Sequence, residues 1–198
     1  MHGVTKAQMQ KIQKSKETEK TTQLFLSLKK QYSEKTLSYS EKFKINTEIL
    51  MIASQDYQYW NDRKYLITEM TKNLNDQIEN IRNEMKQKED QNESINEDEK
   101  THQNEEIMKL EKQREELLKG EMNITQKLLP LNSKAYVVWY HRKWTMNLLK
   151  EKNYQKEREL CALMLKYDSR NCLFSFLFLY FFRFFSFIIF ILFSIVSL

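Results

Sequence analysis

The chain of 198 residues contains only two glycines and one proline, which argues against β-rich folds because their turns depend on both residues. Its net charge of +5 is spread along the chain without a basic block, a pattern typical of a solvated surface and not of a nucleic-acid interface. The two cysteines match neither a disulfide framework nor a zinc ligand set, so we expect a reducing compartment, the cytoplasm. Long helices with few breaks are therefore predicted.

The first 70 residues are predicted to form three helices. Residues 1–32 make a polar, Lys-rich helix whose apolar positions become more frequent toward Tyr32. Residues 33–70 follow as a hairpin, with a first helix from Ser33 to Ile52 and a second helix capped by Ser54 or Asp56.

A charged segment, residues 71–115, interrupts the pattern. It begins with apolar residues at the spacing of a coiled-coil seam, namely Leu74, Ile78, Ile81 and Met85. Between Gln87 and Glu105 the only large aliphatic residue is Ile95, and we expect that stretch to be disordered or mobile. The segment is predicted to be a helical hairpin inserted between two repeats.

One sequence pattern occurs twice, and its second copy falls in residues 116–152. The pattern Y-x-x-W-x-x-R, whose three residues share one helix face, is present as Tyr57, Trp60, Arg63 and again as Tyr136, Trp139, Arg142. Apolar residues also precede each Trp at equal distances: Ile45, Ile49 and Leu50 in the first copy, Ile124, Leu128 and Leu129 in the second. Such a repeat predicts stacked helix pairs.

The boundaries of the second copy and of a third one follow from the same pattern. Pro130 is predicted to end one helix of the second copy, and Asn132 or Ser133 to cap the next. Residues 153–172 begin a third copy with Leu160, Met164 and Leu165, but Ser175 occupies its Trp position.

The repeat resembles that of the protein prenyltransferase α subunits, in which an apolar helix, a short turn and a W-x-x-R helix form one α-hairpin. Three further motifs resemble the Rab geranylgeranyltransferase branch of that family. They are M-H-G at Met1–Gly3, W-x-H-R-x-W at Trp139–Trp144, and E-L-C-A at Glu159–Ala162 followed by D-x-R-N at Asp168–Asn171. The resemblance covers residues 1–172 with a gap in the middle, and the pattern stops after Cys172 where the family continues.

The resemblance implies an all-α fold, a right-handed stack of antiparallel α-hairpins. It further implies a heterodimer with a β subunit that carries the zinc ion, so no cofactor is expected on this chain alone. Such an enzyme transfers geranylgeranyl groups from geranylgeranyl diphosphate to C-terminal cysteines of Rab GTPases, which are presented by an escort protein.

The resemblance also assigns roles to individual residues. Lys134 and Tyr136 would border the isoprenoid diphosphate, where a fixed ammonium stabilises the leaving group. From the sequence alone, a solvated lysine in the first turn of the helix is the favoured interpretation of Lys134, and the resemblance reverses that preference. His141 and Arg142 are expected to pack and hydrogen-bond between adjacent hairpins, and Trp139 and Trp144 are expected to be buried. His2 belongs to the M-H-G motif and is an exposed terminal imidazole, which would be able to reach a metal in the partner subunit. His102 is expected to lie in solvent.

The tail, residues 173–198, holds ten of the twelve Phe residues and a single charge, Arg183. By hydropathy it is long enough to span a bilayer. A membrane anchor, a buried helix pair and a mis-predicted exon are the three alternatives, and the abrupt stop in mid-repeat favours the exon. If the anchor is real, a tail-anchored coiled-coil tethering protein is the competing function.

Overall fold

The described part of the chain is helical throughout. The computed structural model describes residues 6–90, 97–132 and 134–167. These ranges form six helices and no strand: α1 Lys6–Tyr32, α2 Tyr39–Ile52, α3 Tyr57–Asp90, α4 Glu97–Leu128, α5 Tyr136–Leu148 and α6 Tyr154–Tyr167. The predicted all-α class is confirmed. Two compact units divide between Glu111 and Lys112, and each is described by itself.

Within the described ranges, no helix combines the length and the hydropathy that a bilayer crossing requires. The Phe-rich stretch, residues 173–198, lies outside those ranges.

Hairpin 1, formed by α2 and the first part of α3, is defined by its caps. The Ser38 hydroxyl accepts a hydrogen bond from the Glu41 N–H at 3.3 Å, and the Glu41 carboxylate accepts one from the Ser38 N–H at 2.8 Å. This capping box starts α2 at Tyr39, so the prediction of a helix from Ser33 is wrong. In the connection between α2 and α3, the Asp56 carboxylate accepts a hydrogen bond from the Gln58 N–H at 3.0 Å. This bond satisfies a backbone donor at the start of α3 that has no partner within the helix.

The core of the first unit lies where α1, α2 and α3 meet. Ile49, Leu50 and Trp60 are completely buried there. α1 covers this core with aromatic side chains, because the rings of Phe25 and Tyr32 lie edge-on to the Tyr59 ring with centroids 6.4 and 5.5 Å away. The polar N-terminal helix is therefore anchored by its C-terminal end.

The charged segment is ordered over most of its length, which corrects the expectation of disorder between Gln87 and Glu105. α3 continues to Asp90 and α4 begins at Glu97, so only residues 91–96 lie outside the description. An apolar cluster joins the two helices in the first unit, with Ile78, Ile107 and Leu110 buried and Leu74, Ile81 and Met85 packed against them. Glu, Lys and Gln also favour helix strongly, and the ion pairs Arg82–Glu111 and Lys88–Glu99 cross between the helices.

This packing predicts a large difference between two neighbouring residues of α4. Ile107 is 8 % exposed and belongs to the cluster, whereas Met108 is 70 % exposed. We expect Ile107→Ala to lower the free energy of unfolding by about 2 kcal/mol or more and Met108→Ala to change it by about 0.5 kcal/mol at most. Urea unfolding followed by circular dichroism measures both, and equal effects would contradict a packed hairpin.

Candidate functional site

The two copies of the repeat place equivalent residues in equivalent environments. Hairpin 2, formed by the last part of α4 and α5, lies in the second unit. Trp60 and Trp139 are both buried, whereas Tyr57 and Tyr136 are 66 % and 50 % exposed. The Trp and Arg of the pattern are thus core residues, and the Tyr is presented to solvent.

Arg63 lies at the centre of hairpin 1 and is completely buried. Its Nη1 donates to Asn46 Oδ1 at 3.0 Å and to Thr47 Oγ1 at 2.9 Å, so α3 is bonded to α2. The Arg63 guanidinium also lies over the Phe43 ring, 4.1 Å from its centroid, in a cation–π contact. Polar groups and an aromatic face together replace the water that burial removes.

Arg142 has the same position in hairpin 2 and is also buried. Its Nη1 donates to the Met122 carbonyl at 2.6 Å and to Thr125 Oγ1 at 2.8 Å, which bonds α5 to α4. Thr125 precedes Trp139 by the same number of residues as Asn46 precedes Trp60. The contact between the Arg helix and the preceding helix is therefore a property of the repeat.

The charge of Arg142 is neutralised by the next helix. Glu157 of α6 is buried, and its carboxylate accepts from Arg142 Nε at 2.6 Å and from Nη2 at 2.7 Å. This two-point geometry suits a planar guanidinium and makes the pair a strong one. Arg142 thus joins α4, α5 and α6 in one hydrogen-bonded centre.

His141 makes a second buried contact beside this centre. Its Nε2 lies 2.9 Å from Glu121 Oε2, and both side chains are inaccessible to solvent. The Trp144 ring lies 5.4 Å from the imidazole and is half-buried. The structure therefore places His141 within hairpin 2, while Arg142 makes the contact between hairpins.

Lys134 and Tyr136 lie together where α5 begins, and both are exposed. Asn132 Oδ1 accepts from the Lys134 N–H at 3.1 Å, which closes a turn before the helix. Ala135 is the N-cap of α5 and makes no side-chain cap bond. The prediction that Asn132 caps this helix is therefore wrong, and so is the prediction that Lys134 lies in its first turn. Ser133 lies outside the described residues.

Sequence reasoning missed the polar partners of the buried Arg and His side chains. Asn46, Thr125, Glu121 and Glu157 interrupt otherwise apolar helix faces. A signal for them was present, since Asn46 and Thr125 have equivalent places before their Trp, and Glu121 and Glu157 have equivalent places in the second and third copies. A polar residue that recurs on a buried stripe indicates a buried hydrogen-bond partner.

The histidines outside hairpin 2 add no metal site to the described chain. His102 is exposed on α4, as expected, and His2 lies outside the described residues. Among residues 6–90, 97–132 and 134–167, no group of His, Cys, Asp or Glu is arranged to hold a metal ion.

Comparison with known proteins gives a partial match. Residues 118–149, which contain hairpin 2, match the protein prenyltransferase alpha subunit repeat. The chain is similar to the Geranylgeranyl transferase type-2 subunit alpha of Bos taurus, with 38 % identity over 66 residues, 33 % of this chain and 12 % of that protein. The Homo sapiens protein of the same name is 42 % identical over 55 residues, 28 % of this chain and 10 % of that protein.

These matches cover only a small part of the length of the relatives. The chain spans about an eighth of the length of the curated proteins that it matches first. No solved structure matches it. The comparisons thus place a prenyltransferase α-subunit repeat in the chain, at the hairpin that carries Lys134, Tyr136 and Arg142.

The buried pair Arg142–Glu157 predicts a non-additive loss of stability. Arg142→Met leaves a buried carboxylate unpaired and Glu157→Met leaves a buried guanidinium, so each should cost about 3–5 kcal/mol. The double variant should lose much less than the sum, since neither charge remains. Urea unfolding measures the cycle, with Lys112→Met and Glu116→Met as the control because that pair is exposed. Additive losses at Arg142 and Glu157 would contradict the pair.

Cys161 of α6 gives a prediction about pH. Burial, with a smaller contribution from the Glu157 carboxylate, raises the pKa of the Cys161 thiol from 9.0 to about 12. The folded protein therefore holds the thiol proton more tightly than the unfolded chain does. This contribution to stability is complete below about pH 9 and is lost as the pH rises toward about 12.

Alkylation tests this in a Cys172→Ser background. Iodoacetamide should leave Cys161 unmodified in the native protein at pH 8.5 and label it quickly in urea, because both access and thiolate are lacking in the folded state. Rapid labelling of the native protein would show that α6 does not bury the thiol.

Proposed function

We propose that the chain acts as an α subunit of a Rab-type protein geranylgeranyltransferase. It would assemble with a β subunit that carries the zinc ion and most of the catalytic groups, and together they would transfer geranylgeranyl groups to C-terminal cysteines of Rab GTPases. One observation supports the proposal. In the hairpin that matches the prenyltransferase repeat, Lys134 and Tyr136 are exposed where α5 begins, and Arg142 bonds α5 to the neighbouring helix α6.

The start of α5 suits a diphosphate. The N-terminus of a helix carries partial positive charge, and the first turn of α5 contains no acidic side chain to oppose an anion. Lys134 adds a full positive charge in the turn just before it, and Tyr136 adds a phenol. As the bond between carbon and oxygen breaks, charge grows on the leaving diphosphate, and a fixed cation stabilises that state more than the ground state.

Rigidity of α5 is part of the proposed mechanism. A cation stabilises a transition state efficiently only if it is already in place. α5 is bonded to α4 by Arg142 and His141 and to α6 through Glu157, so the helix that begins at Tyr136 is held on two sides. Lys134 lies in the turn directly before it, which Asn132 closes. In this proposal Arg142 and His141 are positioning residues and do not contact substrate.

The competing function, a coiled-coil tether, finds less support. The seam on α3 that would bind a partner is occupied within the chain itself, because Ile78 is buried against Ile107 and Leu110. An exposed apolar stripe would be needed for an interacting rod.

The test is single-turnover transfer of a geranylgeranyl group to a Rab substrate by the chain assembled with its β subunit. Lys134→Ala should lower the rate of the chemical step by about 10² to 10³, because one preorganised charge is removed. Lys127→Ala, an exposed lysine on the last turn of α4, is the matched control and should retain the wild-type rate. Failure of the chain to assemble with a β subunit would refute the proposed function, and equal rates for both variants would show that Lys134 is only a solvated lysine.

A further inference from the structure

A cavity of about 360 Å³ lies in the second unit, between the last part of α4, the end of α5 and the start of α6. Its floor is apolar, with Met146 and Leu149 buried and Met122 half-buried. The volume lies at the lower end of the range of small-ligand sites, about 300–1,000 Å³. Methionine side chains are flexible and polarizable, so this floor can adapt to differently shaped apolar groups.

One wall of the cavity is the buried pair described above. Arg142 and Glu157 both line the cavity, and both oxygens of the carboxylate accept from the guanidinium. Of the five guanidinium N–H groups, four are used by Glu157, Met122 and Thr125. Within the described ranges, no acceptor faces the fifth, which is on Nη2. The wall is therefore neutral in charge and retains a donor.

The rim of the cavity carries an excess of positive charge. Lys119 of α4 and Lys156 of α6 are exposed lining residues, and in the ranges that the structure describes neither ammonium takes part in an ion pair or hydrogen bond. Glu151, in the loop between α5 and α6, is the one lining carboxylate of those ranges besides Glu157. Two ammonium groups and one carboxylate thus face a ligand, together with the amide side chains of Asn123, Gln126 and Asn153.

We propose that this cavity binds a short acidic peptide segment of a partner protein. A Glu or Asp side chain of the peptide would lie between Lys119 and Lys156, and an apolar side chain next to it would contact Met122, Met146 and Leu149. The peptide N–H groups would donate to Glu151 and to the amide oxygens of the rim. The inference concerns the α4–α6 side of the unit and does not depend on the proposed transferase activity.

The methionine floor provides a direct readout in the full chain. With ¹³C-labelled methionine methyl groups, N-acetyl-Leu-Glu-amide should shift the Met122 and Met146 signals in a saturable way. The signals of Met51 and Met108, which are exposed residues of the first unit, should stay unchanged. N-acetyl-Leu-Gln-amide, which has the same shape without the charge, should bind about fivefold more weakly.

Variants of the rim lysines distinguish charge-dependent binding from nonspecific binding of the peptide. The double variant Lys119→Gln, Lys156→Gln should abolish the preference for the Glu peptide, whereas Lys152→Gln, an exposed lysine outside the lining, should keep it. Unchanged methyl spectra outside the cavity verify that each variant is folded. The proposal is overturned if neither peptide shifts Met122 and Met146, if both peptides bind equally, or if the double variant keeps the preference.

Discussion

The burial of one guanidinium in each hairpin is the constraint on which the rest of this structure depends. Arg63 and Arg142 are inaccessible or nearly so, and an unpaired charge at such a place would cost more free energy than a small helical hairpin can supply. Polar side chains of the neighbouring helices consequently hydrogen-bond to each Arg. The Trp one turn earlier closes the apolar side of the site, and a polar residue on the preceding helix accepts from its N–H groups.

The two copies meet this constraint with different chemistry. In hairpin 1 the contacts of Arg63 include an amide, a hydroxyl and the face of Phe43. In hairpin 2, Met122 occupies the place of Phe43 and offers its backbone carbonyl, while Glu157 supplies a carboxylate. The element that both copies share is thus the position of the Arg and of its polar partner on the preceding helix.

Sequence reasoning found the parts of this structure that leave a periodic trace. Two features could be predicted because they depend on residue spacing, which a single sequence shows directly. They are the repeated pattern around Trp60 and Trp139 and the apolar seam from Leu74 to Met85. Sequence reasoning could not show that Glu157 pairs with Arg142, since that contact depends on how two helices pack. It also missed the helix over residues 87–90 and 97–105, because the local lack of apolar residues concealed strong helix formers. The cap of α5 was predicted wrongly because Asn also favours turns, and Asn132 closes a turn before the helix instead of capping it.

The bond between Arg142 and Glu157 means that the cooperative unit of the fold is out of phase with the sequence repeat. By sequence, hairpin 2 ends with its Arg helix, but Arg142 is paired with a carboxylate only by α6, the first helix of the third copy. Hairpin 2 transplanted without α6 would leave the buried Arg142 without that carboxylate. Duplication of this part of the chain would therefore keep the Arg142–Glu157 pair only if the exchanged segment contained both α5 and α6.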